Sequence, residues 1–264
     1  IRTGTHLTVS DGYSKIEPSI PTKGAAVVSF LSLSYFAFFP LAALGYFLLP
    51  QRGRNLWLLG CSWFFYLCAG PAYFPFLAGV CLVSYFGGRR LEETRRKGLL
   101  VFCLVLFIGM LFLFKYLNFG METLSRLLAL AGLDWSPMVP RLLLPAGISF
   151  YLFAAMGYLI DGYRGKVEAE KSFVKTALFL SFFPALLSGP IGRADRLLSQ
   201  FDSRHEFDAA GCREGFYRFL WGAFKKLVLA DRRAVVVDTV FAGPGQFGSV
   251  QVIAAACAFS IQIY

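Results

Sequence analysis

The sequence predicts an all-α, polytopic integral membrane protein, and three observations carry that prediction. The 264 residues are 56% hydrophobic, against about 45–50% in soluble domains. Only 16% are charged, where about 25% is usual, and the formal net charge is +10. The apolar residues are gathered into long runs separated by short groups that carry the Arg and Lys. Runs of this kind have the length and composition of helices threaded through a hydrocarbon layer about 30 Å thick.

In chain order, residues 1–27 stand apart. They are polar, start without Met and lack the apolar stretch of a signal peptide, so they are expected to be a non-native or disordered leader. Residues 28–49 form a full-length span stopped by Pro50 and Gln-Arg-Gly-Arg. Residues 56–69 and 72–86 are shorter apolar runs divided by Gly70-Pro71, read as tilted spans or as a broken pair. Residues 99–117 are a clear span entered from a basic segment, and 142–160 are another, ending at Asp161. Residues 173–187 are of borderline length and contain Pro184. Within 216–229, Phe216, Phe219, Leu220, Phe224, Leu227 and Val228 recur at helical spacing opposite Arg218, Lys225 and Lys226. That helix either lies in the interface or forms the basic end of a span. A last apolar run covers 250–264.

The basic groups set an orientation. With Arg52/Arg54, Arg89–Lys97 and Arg164/Lys166 on the cytoplasmic side, the first five spans alternate without conflict, and the loop 118–141 lies outside. The same scatter of basic residues argues against nucleic acid, which calls for one contiguous basic stripe. The first partner that follows is the lipid bilayer.

Soluble-enzyme chemistry is poorly represented. No GxxxxGK[ST] phosphate loop and no GxSxG elbow occurs. The two histidines, His6 and His205, lie in polar sequence with nothing adjacent to orient either as a base. Five of the six cysteines sit inside apolar runs and no CxxC pair exists, so neither a metal site nor a disulfide framework is expected.

Three stretches are informative. The first is Leu144-Pro-Ala-Gly-Ile-Ser-Phe-Tyr, running on to Tyr158-Leu-Ile-Asp-Gly-Tyr-Arg. Pro145 and Gly147 weaken the helix and allow close backbone approach. Asp161, Tyr163 and Arg164 then form either an interfacial ion-pair cluster at a helix end or part of a cavity wall. The second is Ser181-Phe-Phe-Pro followed by Ser188-Gly-Pro-Ile-Gly-Arg. Here Gly189-Pro190 interrupts the helix at or near membrane depth, Pro184 belongs to the same motif, and Arg193 either binds an anionic group or marks the cytoplasmic side. The third, Trp221-Gly-Ala-Phe-Lys-Lys-Leu-Val-Leu-Ala-Asp-Arg, is a basic amphipathic helix carrying Lys225, Lys226 and Asp231.

Taken in this order, and with Tyr46-Phe-Leu-Leu-Pro, Arg54-Asn-Leu, Phe114-Lys-Tyr and the final Gln262-Ile-Tyr, the chain resembles the membrane-bound O-acyltransferase family, in its bacterial alginate O-acetyltransferase-like branch. The resemblance implies a ring of tilted helices around a tunnel. It also implies an acyl donor that is a cytoplasmic thioester such as acetyl-coenzyme A. The acceptor it implies is a hydroxyl on an extracytoplasmic polysaccharide such as alginate, reached directly or through a periplasmic or secreted acetyltransferase partner. Residues 28–264 then correspond to the N-terminal part of the family's domain. The family's essential histidine is expected beyond Tyr264, so no catalytic residue is assigned and the chain alone is expected to be inactive. A transporter or channel, or a non-catalytic membrane scaffold, is the competing class; broken helices with polar groups are shared by transporters.

Overall fold

The computed structural model describes residues 33–130, 145–187, 189 and 192–263. Every regular element among them is helical. Two compact units divide the chain after Arg204. The leader 1–27, the start of the first predicted span, Pro190 and the segment 131–144 lie outside the described residues.

The first unit holds α1 (Leu33–Leu48), α2 (Gln51–Ala69), α3 (Phe74–Thr94), α4 (Lys97–Leu130), α5 (Ile148–Tyr163), α6 (Phe173–Ser181), α7 (Phe183–Leu186) and α8 (Ala194–Asp202). A single 3₁₀ turn, Pro71–Tyr73, leads into α3, so together they form a continuous helical run of 24 residues. That run and Lys97–Leu117 are long and apolar enough to cross a membrane. Only 33% and 17% of their apolar windows are buried, which distinguishes them from the core helix of a soluble protein. The outward faces instead display large side chains such as Phe86, Phe102, Val105 and Phe112, as lipid-facing helices do. Ser34–Leu48 and Ser249–Ile263 are apolar but shorter.

Several sequence boundaries are corrected. The predicted span 56–69 begins five residues earlier, because Gln-Arg-Gly-Arg is helical behind Pro50, which serves as N-cap. Helix α4 runs through 118–130, which the sequence places in an outer loop: Asn118 and Gly120 are too isolated to stop a helix whose flanking residues are strong formers. The span 142–160 starts only at Ile148, since Gly147 adopts φ +70° as its N-cap. The span 173–187 is two helices, broken at Phe182 with Pro184 in the first turn of α7.

The core is built around α3, which packs against α4, α5 and α6, with α2 against α6 and α7. Leu77, Cys81, Leu91, Leu152, Ala155, Leu159, Ala177 and Leu178 are fully buried within it. Small residues set the distances. The Tyr158 ring lies where a Cβ on Gly88 would come within 2.9 Å, so α3 and α5 meet closely there. A second, aromatic cluster joins α1 to α2 and α7: Phe38 and Phe183 meet edge-on at 5.1 Å, and Tyr35 and Phe65 at 6.1 Å.

The second unit is one helical run and a return. α9 (Ala209–Phe224) starts from Asp208, whose carboxylate accepts the Ala210 and Gly211 N–H groups at 2.9 and 3.0 Å. It passes through a π-helical segment, Lys225–Ala230, into α10 (Asp231–Ala242). α11 (Ser249–Ile263) packs back on α10, with Val237, Val240 and Ala255 buried between them and Phe241 against Phe259.

Gly147 tests this packing most sharply. A Cβ there would fall on the Leu186 carbonyl oxygen, at a backbone angle unfavourable to L-residues. Gly147→Ala is expected to destabilise by about 1–3 kcal/mol, read as an earlier thermal transition in detergent. Gly98→Ala, where nothing lies within 4 Å, leaves the transition in place or raises it.

Candidate functional site

The polar residues of the first unit converge at one end of its helices. The main actors lie on one face of α3 at helical spacing: Tyr85, Arg89 and Glu92, followed by Arg95 just past the helix end. Arg95 takes a left-handed conformation (φ 48°), which ends α3 and throws the side chain towards α5. Its Nη1 donates to the carbonyls of Gly162 at 3.2 Å and Tyr163 at 2.7 Å. A cation thereby caps the last turn of α5, where the helix dipole and unpaired carbonyls favour positive charge. Gly165, at φ +72°, leaves room for that guanidinium: a Cβ there would stand 3.1 Å from Nη1.

The loop after α5 is fastened along the same face. Glu92 accepts the Ala169 N–H at 3.2 Å, and the Tyr158 hydroxyl accepts the Glu170 N–H at 3.0 Å. Tyr85 donates its hydroxyl to the Lys171 carbonyl at 3.1 Å and receives Arg89 at 3.2 Å. From there the chain of contacts continues: Lys175 pairs with Glu170 at 3.8 Å and with Asp202 at the end of α8. The carbonyls that close α8 are taken by α2, with Asn55 donating to Phe201 and Gln51 to Ser203, each at 3.1 Å. The start of α2, the end of α3 and the end of α5 carry the three basic groups assigned to one side of the membrane. One polar belt joins them.

The predicted site residues fall around this belt. Asp161 and Tyr163 are half-buried at the end of α5, and Arg164 is exposed. The Asp161 carbonyl accepts the Lys166 N–H at 3.0 Å, closing the turn. Arg193 is exposed at the N-cap of α8, with Asp195 in the first turn offsetting its charge at the positive helix end. No described hydrogen bond or ion pair joins Arg193 to Asp161.

The first two motif stretches do meet. Gly147 seats the Leu186 carbonyl, and Pro145 is buried beside it. At the α6–α7 break the Phe183 N–H donates to Ser62 Oγ at 3.3 Å, inside the protein. Gly189 is wrapped onto Ala185 with no space for a Cβ. The seam between α5, α6 and α8 holds a void of about 20 Å³, room for roughly one water. The third stretch lies in the second unit, where Lys226 pairs with Asp231 across the π-helical segment. π-Helical turns inside α-helices frequently mark functional sites. Among the described residues no group of His, Cys, Asp and Glu could hold a metal ion.

Comparison with known proteins completes the picture. The chain is 37% identical over 216 residues to a probable alginate O-acetylase of Pseudomonas putida, covering 78% of this chain and 43% of that one. It is 36% identical over 213 residues to the corresponding protein of Azotobacter vinelandii, covering 78% and 42%. Over most of its length the chain is similar to proteins named as probable alginate O-acetylases. A peptidoglycan O-acetyltransferase of Helicobacter pylori is 28% identical over 269 residues, covering 88% of this chain and 50% of that one. The chain thus spans about half the length or less of these acetylases. No family model and no solved structure matches it.

Sequence reading did not find the belt. In the sequence Arg89, Arg90 and Arg95–Lys97 read as one topological charge cluster, whereas Arg89 and Arg95 have specific partners. The available signal was the placement of Tyr85, Arg89 and Glu92 on one helical face, each able to bond a passing loop. Arg95→Gln is expected to weaken the α5 cap by on the order of 1 kcal/mol. Amides 165–172 should then exchange hydrogen faster, while Arg90→Gln, on an exposed side chain, leaves them protected.

Proposed function

We infer that the whole protein is a membrane O-acetyltransferase of the bacterial inner membrane. It crosses the bilayer several times and moves an acetyl group from a cytoplasmic thioester, of the acetyl-coenzyme A type, to a hydroxyl of an extracytoplasmic polysaccharide such as alginate. The observation that supports this most is the run of 35–37% identity, over 78% of the chain, to proteins named as alginate O-acetylases. The peptidoglycan enzyme adds that a related chain is named for a different polysaccharide.

The chemistry is consistent with the layout. A hydroxyl attacks a thioester carbonyl as a base takes its proton; the new C–O bond forms while the donor's C–S bond breaks, and the departing thiolate regains the proton as a thiol. Holding donor and acceptor in line and away from bulk water favours this step. In this reading the polar belt faces the cytoplasm, where the donor arrives. Asp161, Tyr163, Arg164 and Arg193 border the donor path into a ring of tilted helices. Pro145, Gly147, Pro184, Gly189 and Pro190 shape the broken backbone beside that path, and Lys225, Lys226 and Asp231 hold the π-helical segment of the second unit. The acyl-receiving polysaccharide, or a periplasmic acetyltransferase that completes the delivery, works on the opposite face. The base is the family's histidine beyond Tyr264. Neither a transporter nor a scaffold accounts for the identity to acetylases.

The test is acetyl transfer in membranes. The full-length protein should move labelled acetyl from the thioester to alkali-labile ester on alginate, and Asp161→Asn and Arg164→Gln should each lower kcat. The 264-residue chain by itself should show no turnover; turnover by it would place the catalytic base within these residues and overturn the assignment.

A further inference from the structure

α1 and α2 enclose an apolar groove of about 560 Å³, within the range of small-molecule sites. Its walls include Phe38, Leu41, Leu56, Trp57 and Phe64, and every residue lining it is apolar or glycine. Two glycines open it. Gly53 and Gly60 line the groove, and a Cβ on either would meet nothing within 4 Å. The one indole in its wall brings no unpaired polar group, since Trp57 Nε1 donates to the carbonyl of Ala42, another lining residue, at 2.9 Å. The groove is therefore a greasy slot, and its polar boundary lies at the α1–α2 turn.

That turn is cationic. Arg54 donates its Nε to the carbonyl of Leu49, itself a lining residue, at 3.1 Å, and its guanidinium lies 4.9 Å from the Tyr46 ring centre. These contacts hold one positive charge at the mouth of the groove. Arg52, the residue before Gly53, is exposed at the same turn. An apolar slot a few residues from two arginines complements one kind of molecule: an amphiphile with a hydrocarbon chain and an anionic head. Basic pockets between membrane helices on the cytoplasmic side take anionic lipid headgroups, and this turn belongs to the end of the helices bearing the polar belt.

We propose that the α1–α2 groove is a specific site for an anionic phospholipid, an acyl chain lying along Gly53 and Gly60 and the phosphate at Arg52 and Arg54. The site rests on the reading that these helices lie in lipid. It does not depend on acetyl transfer.

The experiment is thermal unfolding of the detergent-solubilised chain, titrated with phosphatidylglycerol, with phosphatidylcholine of the same acyl chains, or with glycerol phosphate. Phosphatidylglycerol should raise the transition saturably and at lower concentration than phosphatidylcholine, and glycerol phosphate should do nothing. Gly60→Phe fills the slot and should abolish the response, whereas Gly109→Phe, on an open part of α4, should retain it. Arg52→Gln should weaken the response about fivefold, the weight of one basic side chain at an anionic surface, and Arg52→Lys should largely restore it. Equal response to the two lipids, a response to glycerol phosphate alone, or an undiminished response in Gly60→Phe overturns the site. So does a groove found filled by a second copy or by another segment of the chain, with no lipid retained. In all of these the detergent requirement persists; a chain that stays monodisperse without detergent instead overturns the membrane reading beneath the proposal.

Discussion

A backbone group released where a helix breaks inside a bilayer has no water to turn to, so each break must find its partner in the protein. The first unit is organised around that constraint. At Phe182 the helix stops, and the next N–H donates to Ser62 on a different helix. At Gly147 the chain enters α5 through a left-handed residue pressed on the Leu186 carbonyl. At the other end, the last carbonyls of α5 and α8 are taken by Arg95, Asn55 and Gln51. Apolar burial draws the helices together, and these few directional contacts determine which helix ends can be neighbours.

The same contacts join fold to chemistry. A helical membrane protein with broken helices has to hold polar backbone without letting the bundle loosen. The breaks near Gly147, Phe182 and Gly189 are held from within the unit. Tyr158 plugs into Gly88 while its hydroxyl receives the Glu170 N–H, so one side chain both packs a helix seam and pins the loop beyond it. The belt built by α3 then fixes the end of α5, where Asp161, Tyr163 and Arg164 sit.

Much of this was legible in the sequence, and the limits have physical causes. Long apolar runs identify helices because a bilayer demands them, and the basic hairpins assigned to one side are the ones the polar belt unites. Boundaries were less legible. The helicity of Gln-Arg-Gly-Arg and of 118–130 follows from local propensity, which a reading based on hydropathy discounts. Gly147 was marked for close approach, but its partner, Leu186, is 39 residues away and no local pattern could name it. Arg95 was hidden for a related reason: as one of several arginines its charge was informative, whereas its left-handed backbone, which aims the side chain, becomes visible only in three dimensions. In the third stretch the basic amphipathic pattern was read correctly as helix, yet nothing in the spacing of Lys225 and Lys226 announces a π-helical turn.

The exposed apolar helix faces are faces for lipid. Alkaline carbonate extraction of membranes from cells expressing the chain examines that claim most directly. The chain should remain in the membrane pellet after extraction and enter solution only with detergent. Quantitative release into the carbonate supernatant as a monodisperse species would contradict it.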